Sequence, residues 1–308
     1  MSTTLAARDA RVDRARVTSR LTGWSGRSII GLVLVVATLF FIIPLAWLLI
    51  ATTKTEHELA VRTPFAIGSW DTFTTNVRQL FDFQSGAVVQ WIRNSAYYSI
   101  AALVITLVIS VPAGYALALT EFRFRRILMV TTLVVMLMPN TALVLPVFLE
   151  MNKVGLVGQP LSVILPFSFY PFGVYLTYIY FSTSIPRNLL AAARLDGCSE
   201  VQVFIRIALP LASPVVALVA FFSFVQNWNN YFLPFVMLPS SDSYPMQVGL
   251  STLLSSTPAF NPSAAGSESM HLPTLALATI VSMLPVLILF LFSQRFLVAG
   301  MTAGGVKE

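Results

Sequence analysis

The chain has 308 residues, of which 56% are apolar and only 10% charged, a balance that excludes an ordinary water-soluble domain. Its single cysteine, Cys198, rules out an intrachain disulfide and a cysteine-based metal cluster. The formal net charge of +6 does not argue for nucleic acid, because Asp9 and Asp13 dilute the arginines of residues 8–27 and a long apolar run follows at once.

What remains is an all-α membrane protein of several spans. Six charge-free windows are long enough to cross a bilayer, which takes roughly 20 apolar residues as helix: 28–53, 94–120, 127–149, 154–186, 207–241 and 269–294. Six transmembrane helices are therefore predicted. The positive-inside bias orients them. Arg8, Arg11, Arg14, Arg16, Arg20, Arg27, Arg123, Arg125, Arg126, Arg187, Arg194, Arg206, Arg295 and Lys307 fall on the side of the termini, and Lys54, Arg62, Arg78, Arg93 and Lys153 on the other. Both termini are expected in the cytoplasm.

In chain order, a cytoplasmic arm of residues 1–28 precedes a six-helix domain of 29–295 and a cytoplasmic tail of 296–308. The run from Ile29 to Ile50 is longer than the apolar region of a secretory signal and contains Pro44 and Trp47, so it is read as a retained first helix. Residues 54–93 form an external segment, and a second helix begins near Asn94. Pro139 and Pro146 predict a kinked or broken third helix, and Pro166 and Pro171 interrupt the fourth. Residues 243–267 carry no charge, yet they are rich in Ser, Thr, Pro and Gly and are read as an extramembrane loop. His57 and His271 fall in external segments as solvated side chains, with no metal site predicted.

Between the fourth and fifth windows lies a polar island, residues 185–210. Ser184 with Pro186 signals a helix start, Gly197 a helix stop, and the intervening LLAAAR favours helix with small residues open to close approach. Ser199 and Gln202 fit the capping box of a second helix. Val201, Phe204, Ile205 and Ala208 recur as its apolar stripe, and Pro210 marks entry into the fifth span. The prediction is a helix–Gly–helix elbow, which on this pattern alone fits either a docking element or a plain amphipathic connector on the membrane.

The fifth window holds four amides, Gln226, Asn227, Asn229 and Asn230. Buried amides are costly without partners or a wet cavity. Gln226, Asn229 and Asn230 share a helical face by spacing, beside Trp228 and Tyr231. They fit the lining of a path for hydroxyl-rich solutes, and equally the polar glue between helices. The six windows contain no Asp, Glu, Lys or Arg, and their one histidine, His271, falls at the edge of the sixth in the external segment, which disfavours an ion-coupled secondary transporter and a membrane-embedded enzyme alike, so no catalytic residue is assigned. No phosphate-binding G-x-x-x-x-G-K-[ST] loop is present.

The spacing Ala191-Ala192-Ala193, three residues, Gly197, nine residues, Ile207-x-Leu209-Pro210 resembles the E-A-A-x3-G-x9-I-x-L-P loop of the membrane subunits of bacterial ABC importers. Ile185-Pro186 and Arg194-Leu195-Asp196-Gly197 are similar to the form of the carbohydrate branch. The resemblance runs from Pro44 and Trp47 through Asn94-Ser95, the AGYALAL run at 113–119 and Gly155-Leu156 to Trp228-Asn229-Asn230-Tyr231, Pro234 and YPMQVGLSTL. It implies the type I importer permease architecture of the smaller maltose-type subunit, set as a multi-pass protein in the bacterial or archaeal inner membrane.

The same resemblance implies that Ala191, Ala192, Ala193, Arg194, Asp196, Gly197, Ile207, Leu209 and Pro210 couple to a separate ATPase, which holds ATP and Mg. It further implies a translocation path that includes Gln226, Trp228, Asn229, Asn230 and Tyr231. The expected partners are a second homologous permease, two cytoplasmic ATPase subunits, an extracytoplasmic solute-binding protein, a sugar and membrane lipid, with no nucleic acid. Ala191 stands where the motif has Glu, which puts one ion pair with the ATPase in question. Neither the sugar nor its direct contact with this chain is fixed at this level.

Overall fold

The computed structural model describes residues 29–264 and 269–303, with side chains through residue 294 in the last helix. The expected arm 1–28 and residues 304–308 of the tail lie outside the described residues. The described residues are helical and divide into two units, the first ending at Phe73 and the second beginning at Thr74.

In the first unit, α1 (Ile29–Ala51) is 23 residues long, enough to span a membrane, and it is apolar on every face, with Phe40 71% exposed. A chain meets lipid or partner helices on all sides through such a surface. After it comes α2 (Glu56–Val61), started by a reciprocal capping box between Thr55 and Glu58. This bond and nearby Arg62 hold the Glu58 carboxyl below its ordinary range. Lys54 is fully buried, and its Nζ donates to the carbonyls of Thr63 and Pro64, each at 3.0 Å. A buried ammonium needs such acceptors. With α3 (Trp70–Asp82) following, most of residues 54–93 is helix.

In the second unit, α4 (Ala87–Leu119) runs for 33 residues and starts seven residues before Asn94. Against it pack α7 (Leu161–Ser168), α8 (Pro171–Ser184), α12 (Ser213–Trp228) and α14 (Met246–Ser255), while α15 (Leu272–Ala303) packs on α12 and α14. Small residues set the closest approach. A Cβ on Gly114 would overlap the hydroxyl of Thr177 on α8, and one on Gly249 would overlap the Trp91 ring. Helices that lack a hydrophobic drive to associate in lipid rely on such close packing.

Among the described residues, four helical segments are each long and apolar enough to cross a membrane, and the total rises to six if each of two bent pairs is one span. In the third span, α5 (Arg125–Met136) and α6 (Asn140–Lys153) meet at 108°. Pro139 causes this break: its ring disfavours a helical Met138, and it has no N–H to continue the ladder. Pro146 is absorbed inside α6. In the fourth span, α7 and α8 are separated at Phe169 and Tyr170, and Thr106 of α4 satisfies the freed Ser168 carbonyl at 3.1 Å.

The segment 243–267 is not simply a loop. It contains α14, in which Met246 and Leu253 are fully buried. One face of α4 builds its approach. Trp91 Nε1 donates to Ser241, Asn94 Nδ2 to Asp242 and Tyr244, and Tyr98 Oη to Ser243, all to carbonyls, while Ser95 Oγ accepts from Met246 N–H at 2.7 Å. These four residues recur at i, i+3, i+4 and i+7, so a single helical face holds the turn. Asn94 and Ser95 therefore serve as anchors inside α4 and do not mark its start.

Candidate functional site

Two places carry the predicted site residues. The first is the elbow. Its first arm, α9 (Arg187–Leu195), starts at Pro186 and buries Leu190 and Ala193. Ala191 and Ala192 lie on the exposed side, so the three consecutive alanines do not share a face. Helix α9 ends in a Schellman motif: Gly197 N–H donates to Arg194 O at 3.1 Å and Cys198 N–H to Ala193 O at 3.0 Å. Gly197 has φ +85°, where only glycine is unstrained, and nothing lies within 4 Å of the Cβ it lacks.

Ser199 follows at once as the cap of α10 (Glu200–Val203), with both halves of its capping box made. The helix widens into a π turn at Phe204–Ala208 and closes with α11 (Leu209–Leu211). The 76° bend to α12 comes at Ala212, two residues beyond Pro210. Pro210 has no N–H for Arg206, and the π turn accommodates that gap; Pro214 has none for Pro210, and there the ladder breaks. The predicted stripe also shifts. Val203 and Ala208 are fully buried, whereas Val201 and Ile205 are 66% and 54% exposed, because the wider turn rotates the sequence relative to a regular helix.

The inner side of the elbow belongs to one apolar cluster with α4, α8 and α12, in which Ile185, Leu190, Val203 and Ala208 join Tyr115, Phe181 and Val215. Ile207, Leu209 and Cys198 pack against it half-buried. Two tyrosines fasten it. Tyr115 of α4 packs on Phe181 and Phe204 and donates to Glu200 Oε2 at 3.2 Å. Tyr180 of α8 donates to the Leu211 carbonyl at 3.1 Å. Glu200 also pairs with Arg194 across the elbow, at 2.5 Å to Nε. The Arg194 guanidinium holds this carboxyl below its ordinary range, with Tyr115 adding to the effect. Sequence spacing alone missed Glu200 and Tyr115, although Tyr115 sits in the noted AGYALAL run. Leu195 at the tip is 89% exposed, and Asp196 and Pro210 are also exposed.

The second place is a cavity of about 380 Å³. Its walls come from three interruptions of helices. Asn140, Thr141, Leu143 and Val144 follow the break in the third span, Leu165 to Phe167 and Phe169 flank the break in the fourth, and Gln226, Asn227, Asn230, Phe232 and Leu233 surround the end of α12. Asn230 Oδ1 accepts from Leu233 N–H at 3.2 Å, which fixes the start of α13 (Phe232–Met237).

The five path residues separate here. Gln226 and Asn230 border the cavity; Trp228, Asn229 and Tyr231 do not. Trp228 is 2% exposed and donates through Nε1 to the Ser282 carbonyl of α15 at 2.9 Å. Asn229 and Tyr231 pair with Gln247 and Ser251 at 3.5 and 3.4 Å. Helical spacing fails past Trp228 because α12 ends there.

Comparison with known proteins follows the same outline. The family model of the binding-protein-dependent transport system inner membrane component matches residues 108–303. The arabinooligosaccharide transport system permease AraQ of Halalkalibacterium halodurans is 34% identical over 86% of this chain and 91% of its own length. The lactose transport system permease LacG of Rhizobium radiobacter is 30% identical over 89% and 94%. Among solved structures, a chain of a bacterial ABC transporter that imports the acidic polysaccharide alginate superposes with a TM-score of 0.75 at 22% identity, covering 87% of this chain and 94% of that one. This last likeness concerns the fold.

Proposed function

From the premise that this chain belongs to the inner-membrane component family of binding-protein-dependent transport systems, we propose that it forms half of the path of an ATP-driven sugar importer and takes its motion through the 185–210 elbow. It is a multi-pass transport permease, not an enzyme. The observation that carries the proposal is the two-sided elbow. Its inner side is cored into α4, α8 and α12, while its outer side presents Leu195, Val201 and Ile205 to solvent. Exposed apolar residues rimmed by charge mark a protein-docking surface.

In this reading the outer side lies in the cytoplasm with both termini and docks on one of two ATPase subunits, which bind ATP and Mg and hydrolyse the nucleotide. A second permease completes the pore, and an external binding protein delivers the sugar. Closure of the ATPases displaces the elbow, Tyr115 and Tyr180 pass the displacement to α4 and α8, and the spans alternate between two openings. Without a Glu at 191, docking rests on the shape of the exposed alanines and the apolar rim. The sugar assignment is supported by the names of AraQ and LacG. Purification of the tagged chain in detergent should recover an ATPase and a second permease, with sugar-stimulated ATP hydrolysis once the binding protein is added. Recovery of the folded chain with no ATPase would overturn the proposal.

A further inference from the structure

The turn between the second and third spans meets the first arm of the elbow around a second, smaller cavity of about 140 Å³. Its lining comes from the end of α4, from Glu121 and Arg125 just after it, and from Arg187, Leu190 and Arg194 of α9. The three α9 residues recur at i, i+3 and i+7, so one face of that helix forms a wall. Arg125 is the first residue of α5 and Arg187 the first of α9, so two helix starts meet at the cavity.

Charge at this place is unbalanced. Three arginines border the cavity against one carboxylate, that of Glu121. Arg194 is neutralised by Glu200, and Arg125 donates only to the Ala118 carbonyl at 3.4 Å. Arg187 has no ion-pair partner among the described residues. With both carboxylates counted, one positive charge is left over. Neither helix start offsets it: Phe124 and Pro186 give no side-chain cap, and the first turns of α5 and α9 hold no acidic residue. The positive end of a helix disfavours a cation and favours an anion, so an arginine at each start is stabilised by an anion held between them.

Size and position choose among anions. The volume of about 140 Å³ is well below the roughly 300 Å³ at which pockets for whole small molecules begin, so the cavity suits a phosphate group but not a nucleotide. Leu119 ends one candidate span and Arg125 begins another, which puts the cavity at the membrane surface. Ile127 and Leu128, within a turn of Arg125, are exposed and offer acyl chains an apolar face beside it. Basic pockets between spans on the cytoplasmic side bind anionic headgroups. We propose that the cavity is a phosphate site filled by an anionic lipid, whose phosphate is held by Arg125 and Arg187 and ties the first arm of the elbow to the third span. The inference goes beyond the permease reading and takes from it only the cytoplasmic placement of the elbow, which selects the leaflet.

The test is native mass spectrometry of the assembled transporter in detergent, titrated with phosphatidylglycerol and, as the lipid of no net charge, phosphatidylcholine. Phosphatidylglycerol should bind at the lower concentration. Arg187→Gln should weaken its binding about fivefold, the loss expected for one arginine at an anionic lipid, and Arg187→Lys should retain more of it. Arg126 is exposed but does not line the cavity, so Arg126→Gln should bind as the native complex does. Arg187 is also exposed, and unchanged melting of Arg187→Gln without added lipid would show that its loss is not one of folding. Inorganic phosphate should not displace the lipid, because it makes no use of the apolar face of α5.

Equal binding of the two lipids, or equal losses in Arg187→Gln and Arg126→Gln, would overturn the proposal, since either marks a general surface charge and not a site. Displacement by inorganic phosphate would give the cavity to a free anion, and loss of the ATPase from the Arg187→Gln complex would give it to an acidic side chain of that partner; each would overturn the lipid. Failure of the native chain to bring down an ATPase is a separate result. It would count against the permease reading instead, and lipid binding to the chain would still be measurable.

Discussion

The elbow and the amide segment both interrupt apolar runs, yet they are built in opposite ways. In the elbow, neighbours in sequence satisfy one another: Gly197 and Cys198 close α9 onto Arg194 and Ala193, and Ser199 opens α10 through Gln202. In the amide segment, Trp228 reaches Ser282 and Asn229 reaches Gln247, while Asn227 Nδ2 reaches nothing. Short-range bonding lets the elbow keep its shape while its outer side stays free for a partner. The amide segment takes its shape from helices distant in sequence, so damage there should spread through the bundle.

The sharpest way to break this contrast is to damage the bundle beneath both regions. Gly114→Leu drives a side chain into Thr177 and the backbone of α8, and overpacking of this kind should cost about 3 kcal/mol or more. The variant should fail to appear as a monodisperse membrane protein by size-exclusion chromatography in detergent. If it folds normally, the α4–α8 crossing does not hold the molecule together. Trp228→Phe comes next: it loses the bond to Ser282 and part of a buried ring, for about 2 kcal/mol. Detergent melts should show that loss, with transport falling only as far as the folded fraction falls. A transport defect at full stability would instead give Trp228 a direct role in the path.

Gly197→Ala probes the other region. Nothing stands in the way of the new methyl group, so the cost is the left-handed backbone, about 1 kcal/mol. The chain should fold and reach the membrane while sugar stimulates ATP hydrolysis less per molecule transported. Paired uptake and phosphate-release assays would reveal this, and unchanged coupling would sink the elbow's assigned role.

The smallest effect belongs to Glu200→Gln. The Arg194–Glu200 pair is half-exposed, with side chains 39% and 53% accessible, and exposed pairs contribute less than about 1 kcal/mol. Because the folded carboxyl is held low, its contribution is present above the unfolded carboxylate range and is lost as pH falls through the folded value. Melting curves of the native chain and Glu200→Gln should therefore differ slightly at neutral pH and converge in acid. A gap that widens in acid would reverse the sign of this coupling.

Much of the elbow was legible beforehand because capping, glycine stops and small-residue runs act within a few residues. What escaped was the partner of each element. Val201 and Ile205 fit a regular stripe, but a π turn followed by Pro210 turned them outward. Asn94 looked like a helix start, whereas it holds the turn at Asp242 and Tyr244 from inside α4. For 243–267, the Ser, Thr, Pro and Gly content concealed the buried side of α14.

The sequence by itself determined the membrane setting, the windows of the candidate spans, the prolines that interrupt them and the two-armed elbow around Gly197. Those features follow from charge, hydropathy and hydrogen bonds closed over a few residues. Tertiary structure alone decided which prolines break a span, which amides share the cavity with Asn140 and Phe169, and that Tyr115 fastens Glu200. Those outcomes depend on groups far apart in the chain, 85 residues for Tyr115 and Glu200 and further for Asn140 and Asn230, and their meeting is set by helix packing, which no local pattern encodes.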